Sequence, residues 1–140
     1  MTAHVTRFAA GFGVDLRVPA RSPNTRPALA VAEYARAQGR LHPFRAAAMA
    51  AHWRDGRDIE DRAVLAECAL EAGLDPAAAA AAVGDPAMQA RVAAMGREAA
   101  RAGVTGIPTF LVGRRRVVGC QPYQVIAAAA EAEGAVRRAR

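Results

Sequence analysis

The sequence predicts an α/β protein in which a cluster of helices precedes a β-hairpin and a final helix. Two observations support this class. Apolar residues recur at helical spacing from about residue 25 to residue 103, between proline and glycine punctuation. The pattern then changes over residues 109–118, where two short runs of β-branched or aromatic residues flank a turn.

The helical part is defined by local start signals. A short strand is expected first at Val14–Val18, because apolar and polar residues alternate there. Helices then begin where a capping residue or a proline precedes an apolar stripe, with glycine at several of their ends. The start signals are Thr25, Pro43, Asp61, Asp75-Pro76 and Asp85-Pro86. With 53% hydrophobic but only 5% aromatic residues, much of the core is alanine and is expected to be thin.

The last third predicts an antiparallel hairpin and a helix. The strands are Thr109–Val112 and Arg116–Val118, separated by a Gly113–Arg115 turn. This turn would put residue 119 or 120 opposite Thr109. A helix follows from Tyr123 to about Glu133 and ends at Gly134.

Charge and hydropathy exclude several functions. The net charge is +6, but all nineteen basic residues are arginine and no nucleic-acid-binding module accompanies them, so we expect no nucleic-acid partner. The longest apolar run, Ala77–Val83, is too short to cross a bilayer, so no membrane partner is expected. A soluble cytoplasmic protein is predicted.

The residues that bind metals or carry redox chemistry are dispersed. Cys68 and Cys120 are too far apart for a CxxC motif or a zinc ligand pair. The histidines His4, His42 and His52 have no partners at ligand spacing. We therefore expect no metal and no cofactor.

One segment resembles a known family. Val104-Thr105-Gly106-Ile107-Pro108-Thr109-Phe110, followed by the hairpin, Gly119 and Gln121-Pro122-Tyr123, resembles the cis-proline loop and final β-β-α unit of thioredoxin-fold proteins. Upstream, residues 22–28, 56–59 and 72–75 are similar to the helical insertion of the DsbA family. The FrnE-like branch fits best, and it is similar to 2-hydroxychromene-2-carboxylate isomerases and kappa-class glutathione transferases.

The resemblance implies a thioredoxin-like, DsbA-type α/β fold with an α-helical insertion, as a single domain over residues 1–140. Its parts would be a helix end and short strand (1–21), the insertion (22–103), the cis-proline loop, hairpin and final helix (104–134), and a basic tail (135–140). Thr105, Gly106, Ile107 and Pro108 would bind the substrate, a peptide or protein that contains a thiol or a disulfide. The implied activity is thiol-disulfide oxidoreduction.

The sequence departs from the family at its beginning. A full member starts with a strand, a CxxC at a helix N-terminus and a second strand, and we expect this chain to be N-terminally incomplete, without a catalytic residue. A misplaced start or truncation, a degraded gene copy, and a half-domain completed by a partner or a second copy are the alternatives. The alternatives to oxidoreduction are an enzyme like 2-hydroxychromene-2-carboxylate isomerase or a kappa-class glutathione transferase, and a non-catalytic, peptide-binding or dimerising remnant. Cys120 is the one redox candidate, and a homodimer is possible.

Overall fold

The computed structural model describes residues 2–14 and 21–136. The chain divides into two compact units, residues 1–95 and 96–140, with the boundary inside one helix. Most of the strand predicted at Val14–Val18 lies outside the described residues, as do the last four residues of the predicted basic tail.

The first unit is helical. The helices of the described residues up to the boundary are α1 (Thr2–Ala10), α2 (Arg26–Ala37), α3 (Leu41–Met49), α4 (Arg62–Glu71), α5 (Pro76–Ala82) and the beginning of α6 (Pro86–Arg101). A π-helical segment, Ala50–Arg54, continues α3. Residues 38–40 connect α2 to α3, and the two helices pack against each other.

Three of the predicted helix starts are capped by aspartate as expected, and two others differ from the prediction. Asp61, Asp75 and Asp85 each accept a hydrogen bond from the backbone N–H two residues on, as predicted. Thr25 precedes α2, but its helical backbone angles keep its hydroxyl from capping. Helix α3 begins at Leu41 rather than at Pro43, because the first-turn N–H groups have no helical partner and a proline there loses nothing.

The core of the first unit is small and rich in alanine. Phe44, Leu65 and Val31 are the largest side chains that are almost fully buried. Cys68 lies beside Val64 and Leu65 on the inner face of α4, as the helical pattern predicted. These residues hold α2, α3, α4 and α5 together by apolar contact.

The second unit contains the end of α6, a two-stranded sheet and α7 (Tyr123–Glu131). Strand β1 (Thr109–Val112) pairs antiparallel with β2 (Arg115–Val118). The predicted three-residue turn was wrong, since Gly113 and Arg114 alone connect the strands and Arg115 pairs with Val112. Gly113 has a φ of +55° and Arg114 does not have a positive φ, as in the tight hairpin turns that put glycine first.

Candidate substrate-binding loop

The predicted substrate-binding residues form one loop of the second unit. Thr105 to Pro108 connect the end of α6 to β1. The Val104 N–H donates to the Ala99 carbonyl at 3.0 Å and ties the beginning of the loop to α6. At the other end, the Thr109 hydroxyl donates to the Gly106 carbonyl at 2.6 Å. Both ends of the loop are therefore held by hydrogen bonds.

Pro108 is joined to the hairpin by its carbonyl. The Gly119 N–H donates to the Pro108 oxygen at 2.8 Å and extends the β1·β2 ladder by one bond. The peptide bond between Ile107 and Pro108 is cis. Val118 lies beside the loop on the hairpin side, since a Cβ added at Gly106 would be 3.5 Å from its Cγ1.

Ile107 is a strongly exposed apolar residue of this loop. Its side chain is 92% exposed. Within the described part of the chain, its backbone N–H and C=O form no hydrogen bond. A donor and an acceptor on one exposed residue can pair with the backbone of an extended peptide, as in strand addition.

Apolar side chains of the hairpin are also exposed. Leu111 and Val118 are largely open to solvent, and Phe110 is at the border of exposure. The described residues pair β1 with β2 and with no other strand, so each strand has an unpaired edge. This surface offers both apolar contact and backbone pairing.

Cys120 lies nearby in sequence, but the predicted register was wrong. Val118, and neither residue 119 nor residue 120, is opposite Thr109, because the turn is one residue shorter than predicted. Cys120 follows the Gly119 that bonds Pro108, and its thiol is free and exposed. The described residues give it no neighbouring thiol with which to form a CxxC-type pair.

Cys68 has the opposite environment. It is free, buried in the first unit and 2% exposed. Burial raises the pKa of its thiol above the ordinary value, and the neighbouring charge of Glu71 acts in the same direction. Cys68 is therefore a core side chain with little thiolate at neutral pH.

Sequence reasoning missed a buried carboxylate. Glu33 on α2 is only 4% exposed, and both of its oxygens are bonded to arginines, Oε1 to Arg36 at 3.0 Å and Oε2 to Arg91 at 3.3 Å. The i,i+3 spacing of Glu33 and Arg36 was the one signal in the sequence. The Arg91 contact joins α2 to α6 over 58 positions, which no local pattern indicates.

The described residues contain no cluster of three histidine, cysteine, aspartate or glutamate side chains that could hold a metal ion. None of the helices in the described ranges is both long enough and apolar enough to span a membrane.

Comparison with known proteins agrees with this arrangement. Residues 1–131 match the family described as the DSBA-like thioredoxin domain. A solved structure, a probable DsbA oxidoreductase from Streptomyces coelicolor, is 31% identical and superposes with a TM-score of 0.81. The match covers 99% of this chain and 61% of that protein, so this chain spans about three fifths of the relative's length. No curated protein matches the chain.

A helix-rich unit, followed by a loop with a cis-proline, a β-hairpin and a closing helix, defines a thioredoxin-like fold with an α-helical insertion. The chain belongs to the DSBA-like thioredoxin domain family.

Proposed function

We propose that this chain supplies the polypeptide-binding part of a thiol-disulfide oxidoreductase. The Thr105–Pro108 loop would bind an extended segment of a thiol- or disulfide-containing protein. The observation that carries the proposal is Ile107, whose side chain is exposed and whose backbone groups are unpaired in the described part of the chain. Membership of the family supports thiol chemistry as the purpose of the binding.

Binding would follow the geometry of a β-ladder. A substrate segment would donate one backbone N–H to the Ile107 carbonyl and accept one hydrogen bond from the Ile107 N–H. Exposed Val118 and Leu111 would add apolar contact beside it. Because hydrogen bonds between backbones do not depend on side-chain identity, the loop would accept many sequences around the substrate cysteine.

The exchange itself needs two neighbouring thiols. A thiolate attacks one sulfur of the substrate disulfide and forms a mixed disulfide, while the other substrate sulfur leaves as a thiolate. A second enzyme thiol then attacks the mixed disulfide, releases the reduced substrate and leaves the enzyme disulfide. The 140 residues contain no CxxC, so in this proposal the reacting pair belongs to a strand-CxxC-helix-strand segment outside them.

The peptide-binding part of the proposal is tested with the chain as it is. A short extended peptide carrying S-methylcysteine is titrated into labelled protein and followed by amide chemical shifts. A matched set of peptides, each N-methylated at one amide, removes one backbone donor at a time. Loss of binding at a single amide, with shifts centred on residues 105–108, supports the ladder. Equal binding of every N-methylated peptide, or no shift in the loop, contradicts it.

The rival candidate is an enzyme like 2-hydroxychromene-2-carboxylate isomerase or a kappa-class glutathione transferase. Residues 22–28 are similar to the FrnE-like branch, which is itself similar to these enzymes, and a serine takes the place of the CxxC in the isomerase branch. The reading frame upstream of Met1 separates the candidates: a strand followed by CxxC favours the oxidoreductase, a strand followed by serine favours the isomerase, and stop codons favour a non-catalytic remnant. The proposal includes a cytoplasmic location, where Cys68 and Cys120 stay reduced.

A further inference from the structure

The helical unit contains an open groove that the thiol-exchange proposal does not use. It lies between α2 and α3 and has a volume of about 340 Å³. Residues 25, 28, 29, 32, 33 and 36 of α2 line it, and they repeat at the spacing of one helix face. Alanines at positions 28, 32 and 48 leave room between the two helices, and Leu29, Met49 and Met95 are exposed at the surface.

The groove is lined by both charged and apolar residues. Because only residues 38–40 connect them, the end of α2 and the beginning of α3 are at the same end of the groove. Arg36 and its partner Glu33 line the groove near the end of α2, and Arg45 lines it from the middle of α3. Apart from Glu33, Arg36 and Arg45, the residues that line the groove are apolar except for Thr25 and His52, and they include Leu29, Met49 and Ile59.

The positive charge of the groove is not neutralised within the described residues. Arg36 uses its Nε to donate to Glu33, which leaves its terminal nitrogens available. Arg91 takes the second oxygen of Glu33, so two guanidinium groups share one carboxylate. The Arg45 side chain is exposed and, in the described ranges, forms no ion pair or hydrogen bond.

The geometry points to a binding site for a free, straight-chain carboxylate of about twelve carbons. The carboxylate would accept hydrogen bonds from Arg45 and the terminal nitrogens of Arg36, and the alkyl chain would lie along the apolar remainder. An apolar cavity of about 150 Å³ holds benzene, so 340 Å³ has room for roughly a dozen carbons. The lining stripe of α2 is about 16 Å long at 1.5 Å per residue, which suits an extended chain.

Calorimetric titration of the 140-residue chain with sodium decanoate, dodecanoate and hexadecanoate, each below its micelle concentration, tests the size. Each added methylene is expected to tighten binding about threefold to fourfold until the groove is full, at about twelve carbons. Longer chains should then gain nothing, at one ligand per chain. Affinity that keeps rising with length, several ligands per chain, or no binding at about 1 mM overturns the proposal.

Substitutions test the head group and the groove. Arg45→Gln should weaken dodecanoate binding about fivefold to tenfold, since it removes a charged donor. Arg26→Gln is the matched control, because Arg26 is an exposed arginine at the start of α2 that does not line the groove. Ala32→Leu fills the space between the helices and should weaken binding about tenfold or more while circular dichroism shows the helices intact.

Two further results would show that the groove does not recognise a free carboxylate. If 1-dodecanol binds as tightly as dodecanoate, or Arg45→Gln binds like wild type, the arginines do not recognise the ligand and the proposal is wrong. If dodecanoate binds to the dilute monomer but dissociates as the chain self-associates, the groove is covered by a second copy of the chain. The proposal is then also wrong. None of these results depends on the Thr105–Pro108 loop, so they are independent of the proposed oxidoreductase function.

Discussion

Replacing Gly113 by alanine tests how the hairpin that follows the Thr105–Pro108 loop is closed. Gly113 has a φ of +55°, where an L-residue with a side chain costs about 1–2 kcal/mol. A Cβ there would also overlap Glu133, lying 2.6 Å from its Cδ and 2.9 Å from its Cγ, in addition to a still closer contact with Oε2. The Glu133 side chain would have to move away.

Moving Glu133 breaks two contacts that hold the turn to the segment that follows α7. Its carboxylate accepts from the Arg114 N–H at 3.3 Å and pairs with the Arg115 Nε at 3.4 Å. Both distances are long and Arg115 is mostly exposed, so the two contacts together contribute about 1 kcal/mol. Gly113→Ala should therefore destabilise the hairpin by about 2–3 kcal/mol.

A double-mutant cycle separates the two contributions. In a Glu133→Ala background the clash and the contacts are already gone, so Gly113→Ala should cost only the backbone term of about 1–2 kcal/mol. The control is Gly96→Ala in the middle of α6, where no atom lies within 4 Å of the new Cβ, and it should stabilise by about 1 kcal/mol. Urea unfolding gives the totals, and amide exchange of β2 localises them. The reasoning fails if Gly113→Ala is neutral or if its cost is the same in both backgrounds.

Four further predictions concern the thiols and assembly. Cys120 should react with an alkylating agent much faster than Cys68, because only Cys120 is exposed; equal rates, or a faster Cys68, would contradict this. Because burial raises the pKa of Cys68, the folded state favours the protonated thiol. The contribution of this group to the free energy of unfolding is fully present below the ordinary thiol pKa of 9.0 and is lost as the pH rises above that value. Wild type should then lose unfolding free energy more steeply above pH 9.0 than Cys68→Ala, and parallel curves would refute the burial effect. The 140-residue chain should show no appreciable insulin-reductase activity, and turnover like that of a CxxC enzyme would disprove the need for a second thiol. Finally, the unpaired hairpin Thr109–Val118, or the Val14–Val18 segment, should contact a second chain, and light scattering that finds a well-folded monomer at micromolar concentration would exclude the dimer.

Local features of the fold could be read from the sequence because their causes are local. Asp75 and Asp85 start helices through a hydrogen bond to a backbone N–H two residues on, and aspartate followed by proline specifies that start by itself. The β-branched and aromatic runs on either side of Gly113 predicted a hairpin for the same reason. The Thr105–Pro108 loop was recognisable as a candidate site because a short, characteristic string carries it.

Other features depend on contacts between distant positions, and only the tertiary structure decided them. The hairpin register differed from prediction because the backbone twist of a two-residue turn draws Arg115 into the strand and puts Val118 opposite Thr109. The burial of Glu33 depends on Arg91, and the groove between α2 and α3 exists because small residues on two helices face each other. Sequence patterns report the preferences of a segment, whereas burial and cavities depend on which surfaces meet, and that is determined by packing across the whole unit.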